Sequence, residues 1–276
     1  MTSIVRTHMS AAAAGALLIG MTLVAASPAA AQQQNAIVSA PAPAPAADQG
    51  GQASSAGAPF WELIGGYEAD THGSAYGFFG PGYVHPINSN VSWTGRAFGN
   101  YLAYEFTDAG GETKVRSPGV SASLGLRFGG NSWFGVNAGP DVRWRRFELT
   151  RPNGQKVDTD ETSVGANIGA EAYVNPTSHN NIHGIVNYGT VDKYTWARLG
   201  FKERVAQHGS TSTYLGVEGI AQGNEDIRST QFGGFFELNP TNLSLMFRVG
   251  YKRSTFDVGP NKTGPYFAIG FYKRLG

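Results

Sequence analysis

From Asn242 to Tyr251 the chain alternates. Leu243, Leu245, Phe247, Val249 and Tyr251 fall on one side of an extended backbone, and Ser244, Met246, Arg248 and Gly250 on the other. A repeat of two is that of a β-strand, because successive side chains of a pleated chain point to opposite faces. The pattern returns in Val120, Ala122, Leu124, Leu126 and Phe128 against Ser121, Ser123, Gly125 and Arg127. It returns again in Val164, Ala166, Ile168, Ala170, Ala172 and Val174, in Phe134, Val136, Ala138, Val142 and Trp144, and in Phe267, Ile269 and Phe271. Counted from Phe60 onward, such segments predict an all-β chain of about twelve strands, with ten and fourteen as the bounds. Residues 181–205 read as one long strand or, preferably, as two broken near Thr190 to Lys193.

Alternation describes a soluble sandwich as well as a barrel in lipid. Three features choose an antiparallel, up-and-down transmembrane β-barrel. The rows opposite the apolar ones carry Arg96, Arg127, Asp141, Arg143, Glu171, Glu218, Glu237, Arg248 and Lys252 among many glycines. This suits a crowded polar lumen in which opposite charges pair. Tyrosine and tryptophan fall near strand ends, at Trp61, Trp93, Trp133, Tyr173, Tyr194 and Tyr251, where a bilayer would place an aromatic girdle. Finally, every second connection is short: residues 85–90, 129–132, 175–180, 207–210 and 239–242. The connections between them, at residues 107–113, 150–161, 221–229 and 257–264, are then the external loops. An even strand count puts both mature termini in the periplasm and the barrel in the outer membrane, against lipid and lipopolysaccharide.

Ahead of the barrel, Arg6 and His8 precede an apolar stretch from Ala11 to Ala26, followed by small residues up to Ala31. This predicts a cleaved signal peptide over residues 1–31. Residues 32–59 are rich in Ala, Pro and Gln and cannot bury a core, so they predict a disordered periplasmic linker. The barrel itself is assigned to residues 60–276.

Composition narrows the function classes. With 15% charged residues, 12% aromatics and 38 glycines, the chain suits neither a disordered segment nor an ordinary helical enzyme. A net charge of +1 and the lack of a basic run interleaved with aromatics argue against nucleic acid. Zero cysteines remove thiolate chemistry and suit a chain exported through an oxidising compartment. Catalytic and metal-binding patterns are weak. Asp70, His72 and Ser74 lie together in a predicted external loop, but adjacency in a turn is not a nucleophile-base contact. His179 and His183 flank a short turn without a third ligand, and the acidic run Asp158 to Glu161 lacks the spacing of a calcium loop. No enzyme activity, cofactor or metal is therefore expected.

Several short segments occur in a suggestive order: Gly65-Gly-Tyr-Glu-Ala-Asp70, Arg96 with Tyr101 and Tyr104, and Gly139-Pro-Asp-Val-Arg143. Gly216-Val-Glu218 with Gly223-Asn224, and Arg248-Val-Gly-Tyr251, complete the series. In these the chain resembles the cellulose biosynthesis proteins called BcsS, which are encoded alongside cellulose synthase. The resemblance implies a non-enzymatic accessory role in exporting, anchoring or organising cellulose, with the glucan or another β-glucan and components of the cellulose synthase complex as partners. Pattern alone leaves a generic small-solute pore or structural outer-membrane protein as the alternative. About eight strands give a barrel filled by side chains and 16 to 18 an aqueous channel, so twelve leaves the state of the lumen open. An exporter would need aromatics on which sugar rings stack, and Tyr76, Phe98, Tyr104, Trp196 and Tyr214 are the candidates.

Overall fold

The computed structural model describes residues 58–276 apart from 109, 192, 226, 257–259 and 276. The predicted signal peptide, and the predicted linker as far as residue 57, lie outside the described residues. Twelve strands follow one another: β1 (Phe60–Asp70), β2 (Ala75–Pro86), β3 (Val91–Asp108), β4 (Gly111–Gly129), β5 (Trp133–Thr150) and β6 (Lys156–Val174). The remainder are β7 (Asn180–Gly189), β8 (Tyr194–His208), β9 (Thr211–Gly223), β10 (Ile227–Asn239), β11 (Leu243–Phe256) and β12 (Lys262–Leu275). The break in residues 181–205 falls at residues 190–193, as preferred from the sequence.

Each strand pairs antiparallel with the next, and β12 returns to β1 over a ladder from Trp61 opposite Leu275 to Asp70 opposite Tyr266. The sheet is thus a closed barrel with no free edge around its waist. Closure is what lipid demands, because an unpaired backbone N–H or C=O there finds no water. Both ends of the barrel's chain lie at one end of the cylinder, called here the terminal end; the opposite end is the loop end.

Strand parity then divides every residue between lipid and lumen. Val120, Leu124, Leu126 and Phe128 of β4 point outward, as do Val164 and Ile168 of β6, Phe247 and Val249 of β11, and Phe267 and Ile269 of β12. The outer face of β4 changes character at Pro118. Beyond it stand Arg116, Lys114 and Glu112, with Arg146 and Glu148 on β5 and Asp158 on β6. Ion pairs join them, Arg146 to Asp158 at 2.7 Å and Arg116 to Glu148 at 3.8 Å.

The strands β3 to β6 run 18 or 19 residues, against the ~9–11 that cross a bilayer. Their loop-end halves overtop the neighbours, since β2 pairs with β3 only as far as Ala103 and β7 with β6 only from Asn167. The result is a four-stranded blade rising from one side of the barrel. This corrects the predicted external loops. Residues 156–161 belong to β6, and the turn is only 151–155; β9 and β10 leave only 224–226 between them. Ladder hydrogen bonds continue past the bilayer wherever side chains alternate, and charged side chains do not interrupt pairing once water can solvate them.

The aromatic girdle is also corrected. Trp61 and Trp93 face outward at the terminal end and meet through Tyr83, with ring centroids 4.8 and 5.2 Å apart. Trp133, Tyr173 and Tyr194 have the opposite parity and turn inward; Tyr194 is buried. Tyr251 is outward but lies well inside its strand.

Two inward glycines allow neighbouring strands to approach. A Cβ on Gly80 would strike the carbonyl oxygen of Ala97, and one on Gly139 that of Ala122 and, at 2.7 Å, the Cα of Ser123. These obstacles are backbone and cannot swing aside. Gly139→Val is therefore expected to destabilise the barrel by about 1–3 kcal/mol, seen as a lower urea midpoint of the β-sheet circular dichroism signal in detergent. An unchanged midpoint would contradict the close approach of β4 and β5.

Candidate functional site

The lumen is the site, and it is occupied by the protein's own charges. Arg96 on β3 reaches Glu62 on β1 at 3.2 Å and Glu171 on β6 at 3.3 Å, and the second oxygen of Glu171 pairs with His183 Nε2 on β7 at 3.2 Å. Four strands are joined through one guanidinium and two carboxylates. Arg127 lies on the same side of the interior, its guanidinium 4.1 Å from the ring centre of Trp133.

A second cluster centres on Glu218. Its oxygens accept from Arg198 Nε at 2.7 Å and from the Tyr266 hydroxyl at 2.9 Å, with Arg248 Nη1 at 3.6 Å. Towards the terminal end, Lys202 meets Glu237 at 3.0 Å, and Ser244 Oγ donates to the other carboxylate oxygen at 2.8 Å. Towards the loop end, Lys252 pairs with Asp70 at 3.0 Å, and Gln231 Nε2 donates across the lumen to Glu68 at 2.9 Å. Asp141 and Arg143, two apart on β5 and so on one face, pair at 3.0 Å. The structure thus brings Arg96 and Glu171 together, Glu218 and Arg248 together, and Asp141 and Arg143 together, while Lys252 and Glu237 take partners that sequence reasoning missed.

Those missed partners are Glu62, Glu68, Asp70, His183, Arg198, Lys202 and Tyr266. They sit on β1, β7, β8 and β12, where glycines, small residues or inward aromatics blur the alternation. A strict two-residue count carried outward from each clean apolar stretch would have placed them inside.

The five stacking candidates also point inward and are buried. They do not form one lane. Tyr76 and Tyr104 pack with Leu102 and Val115, with Phe78, Phe106 and Phe147 against them, towards the loop end. Trp196 packs with Ile185, Tyr194 and Ile220; Phe98 with Ile64 and Tyr272. Tyr214 lies under the ammonium of Lys202, 4.6 Å from its ring centre. Between these groups the lumen keeps a cavity of about 70 Å³, bordered by Tyr76, Arg96, Phe98 and Trp196. Asn100 Oδ1, Asp141 Oδ1, Arg143 Nη1 and Asn187 Nδ2 belong to residues on its wall and lack protein partners, a lining polar enough to suit buried water. A second space near the loop end measures about 40 Å³.

The loop candidates for catalysis resolve into structural roles. Asp70 Oδ1 accepts from the backbone N–H groups of His72 and Ser74 at 2.9 and 3.1 Å, and its other oxygen holds Lys252. It caps a turn and does not orient an imidazole. His183 is held by Glu171 inside the lumen, whereas His179 stands on the 175–179 turn with Arg204 at 3.4 Å. The acids from Asp158 to Glu161 alternate sides of β6, with Asp158 on Arg146 outside and Glu161 on Arg145 at 3.2 Å. Among the described residues no group of three or more His, Asp or Glu side chains is placed to hold a metal.

Glu218→Ala would leave Arg198, whose side chain is 2% exposed, without its carboxylate. We expect a loss of about 3–5 kcal/mol, measured as the urea midpoint, and recovery of most of it when Glu218→Leu is combined with Arg198→Met, Arg248→Met and Tyr266→Phe, which remove every group that Glu218 accepts from. A loss below about 1 kcal/mol, the range of exposed pairs, would show that the network is solvated.

Comparison with solved structures finds other barrels. The β-domain of the Bordetella autotransporter BrkA aligns at 14% identity and a TM-score of 0.52, covering 80% of this chain and 100% of that one. The translocator domain of the autotransporter NalP from Neisseria meningitidis aligns at 9% identity and a TM-score of 0.51, covering 78% and 88%. At such identities the likeness is one of fold. No curated protein matches in sequence. The family described as cellulose biosynthesis protein BcsS matches residues 87–275, from the turn before β3 to the last strand, and the chain belongs to that family.

Proposed function

We propose that this protein is a non-catalytic outer-membrane accessory of cellulose production that anchors or organises the glucan at the cell surface and does not conduct it through its lumen. The filled interior carries this reading. Cross-lumen ion pairs and three aromatic clusters leave cavities of about 70 and 40 Å³, and a glucan chain in transit needs a continuous lane. A small-solute pore is disfavoured by the same filling. Both mature termini are periplasmic in this proposal, and the blade of β3 to β6 faces outward. Its mixed charges then lie at the level of lipopolysaccharide head groups, where Lys114, Arg116 and Arg146 suit phosphate. The terminal end is left to meet the glucan and components of the synthase complex in the periplasm.

Deleting the gene from a cellulose-producing strain is expected to leave polymer synthesis and export intact while loosening its attachment to the surface. Purified barrel in planar bilayers is expected to show no steady conductance. Periplasmic build-up of polymer together with a stable open conductance would overturn the anchoring role in favour of export, and unchanged cellulose in every fraction would leave a structural protein unrelated to cellulose.

Sidedness is tested separately, since the native chain has no cysteine. Pro152→Cys in the β5–β6 turn should react with an impermeant maleimide on intact cells, and Gly130→Cys in the β4–β5 turn only after the outer membrane is permeabilised. The reverse pattern would invert the barrel.

A further inference from the structure

The two ends of the barrel differ in chemistry. At the terminal end the turns 175–179 and 240–242, with the first residues of β9 and β11, rim a cup of about 780 Å³. It is an order of magnitude larger than the 70 Å³ cavity in the lumen and lies within the roughly 300–1,000 Å³ of small-ligand pockets. Although it sits directly over a lumen crowded with ion pairs, the cup is lined by neither carboxylate nor lysine. Its guanidinium, Arg204, is turned to the imidazole of His179.

What lines it instead is amide, hydroxyl and aromatic. Tyr214 and Tyr272 are buried inward residues at its base. Next to them on the lumen side stands the Lys202, Glu237 and Ser244 cluster. Part of the rim is held in place: Asn175 Nδ2 donates to the carbonyl of Asn131 at 2.6 Å, and its backbone N–H donates to Ser132 Oγ at 3.1 Å, tying two turns together. On the same wall the exposed side-chain amides of Gln207 and Asn242 make no hydrogen bond within the protein among the described residues. Asn242 has φ of 61°, a left-handed turn conformation that asparagine tolerates.

An amide offers a donor and an acceptor on one planar group, which matches neighbouring hydroxyls that each donate and accept. A polyanion would find a single guanidinium, Arg204, already turned to His179, a polycation would find no carboxylate, and an apolar ligand would strand the amides. We propose that the cup is a binding site for an uncharged, hydroxyl-rich glycan chain, seated by Gln207 and Asn242 over Tyr214 and Tyr272. That the glycan is the β-glucan of cellulose rests on the function proposed above; the neutral polyhydroxyl chemistry rests on the cup.

The test uses the full-length protein in lipid nanodiscs with cellohexaose as the probe, read by titration calorimetry. Binding is expected, and Gln207→Ala combined with Asn242→Gly should weaken it at least tenfold while heat-modifiable migration of the barrel on gels stays normal. Lys156→Ala at the loop end should leave it unchanged. Binding that ignores the rim variant, or equal binding of the charged hexagalacturonate, would overturn this site and leave the accessory role standing. Absence of cellohexaose binding would overturn the site too; the deletion phenotype then decides independently whether the accessory role survives.

Discussion

The pairing of β1 with β12 is the constraint on which the rest depends. In hydrocarbon an unpaired backbone N–H or C=O costs several kcal/mol, so a sheet that crosses a bilayer must close. Closure with an even number of strands brings both ends of the barrel to one side. It also makes the pleat absolute: each residue faces lipid or lumen, with no edge strand to absorb a slip of register. A one-residue shift in β6 would turn Glu171 into the membrane and Ile168 into the lumen, which is why the ladder from Asn167 to Val174 on β7 matters although it is short.

Twelve strands enclose more space than backbone alone can fill. This chain fills it with charge at the waist and with aromatics between and above the charges. Buried ion pairs contribute little net stability compared with apolar packing, but removing one partner leaves an uncompensated charge. Their effect here is to specify: Arg96 links β1, β3 and β6, and Glu218 receives groups from β8, β11 and β12. Strands that are not neighbours in the wall are held at set distances across the lumen. The small polar cavity that remains is a by-product of this fit and is too narrow for a polymer.

Above and below that plug the molecule is asymmetric. The loop end carries the apolar cluster around Tyr76 and Tyr104 and is extended by the blade, whose outer face mixes both signs of charge. The terminal end is a cup of amides and hydroxyls with a single guanidinium. A conduit would be expected to continue one lining from end to end. Two unlike ends on a closed waist suit the accessory role proposed above, a membrane-fixed body with a different surface at each end.

Fold class, strand number, the outward rows of β4, β6, β11 and β12 and the family were legible from the chain, because a period of two survives any tertiary arrangement and lipid rewards an unbroken apolar row. The inward position of Arg127, Asp141, Glu171 and Glu218 followed from the same parity. Strand length did not: charged residues such as Asp158 and Glu112 read as loop, whereas they continue a ladder beyond the bilayer. Nor did the partners. That Arg96 would meet Glu171, 75 residues away, or that His183 would turn to a carboxylate and not to His179, depends on which strands lie opposite across the lumen. The sequence by itself determined which side of the wall each residue takes, since that is a local property of the pleat. Only the tertiary structure decided whether the interior is open or filled, because barrel closure alone sets which inward side chains can reach one another.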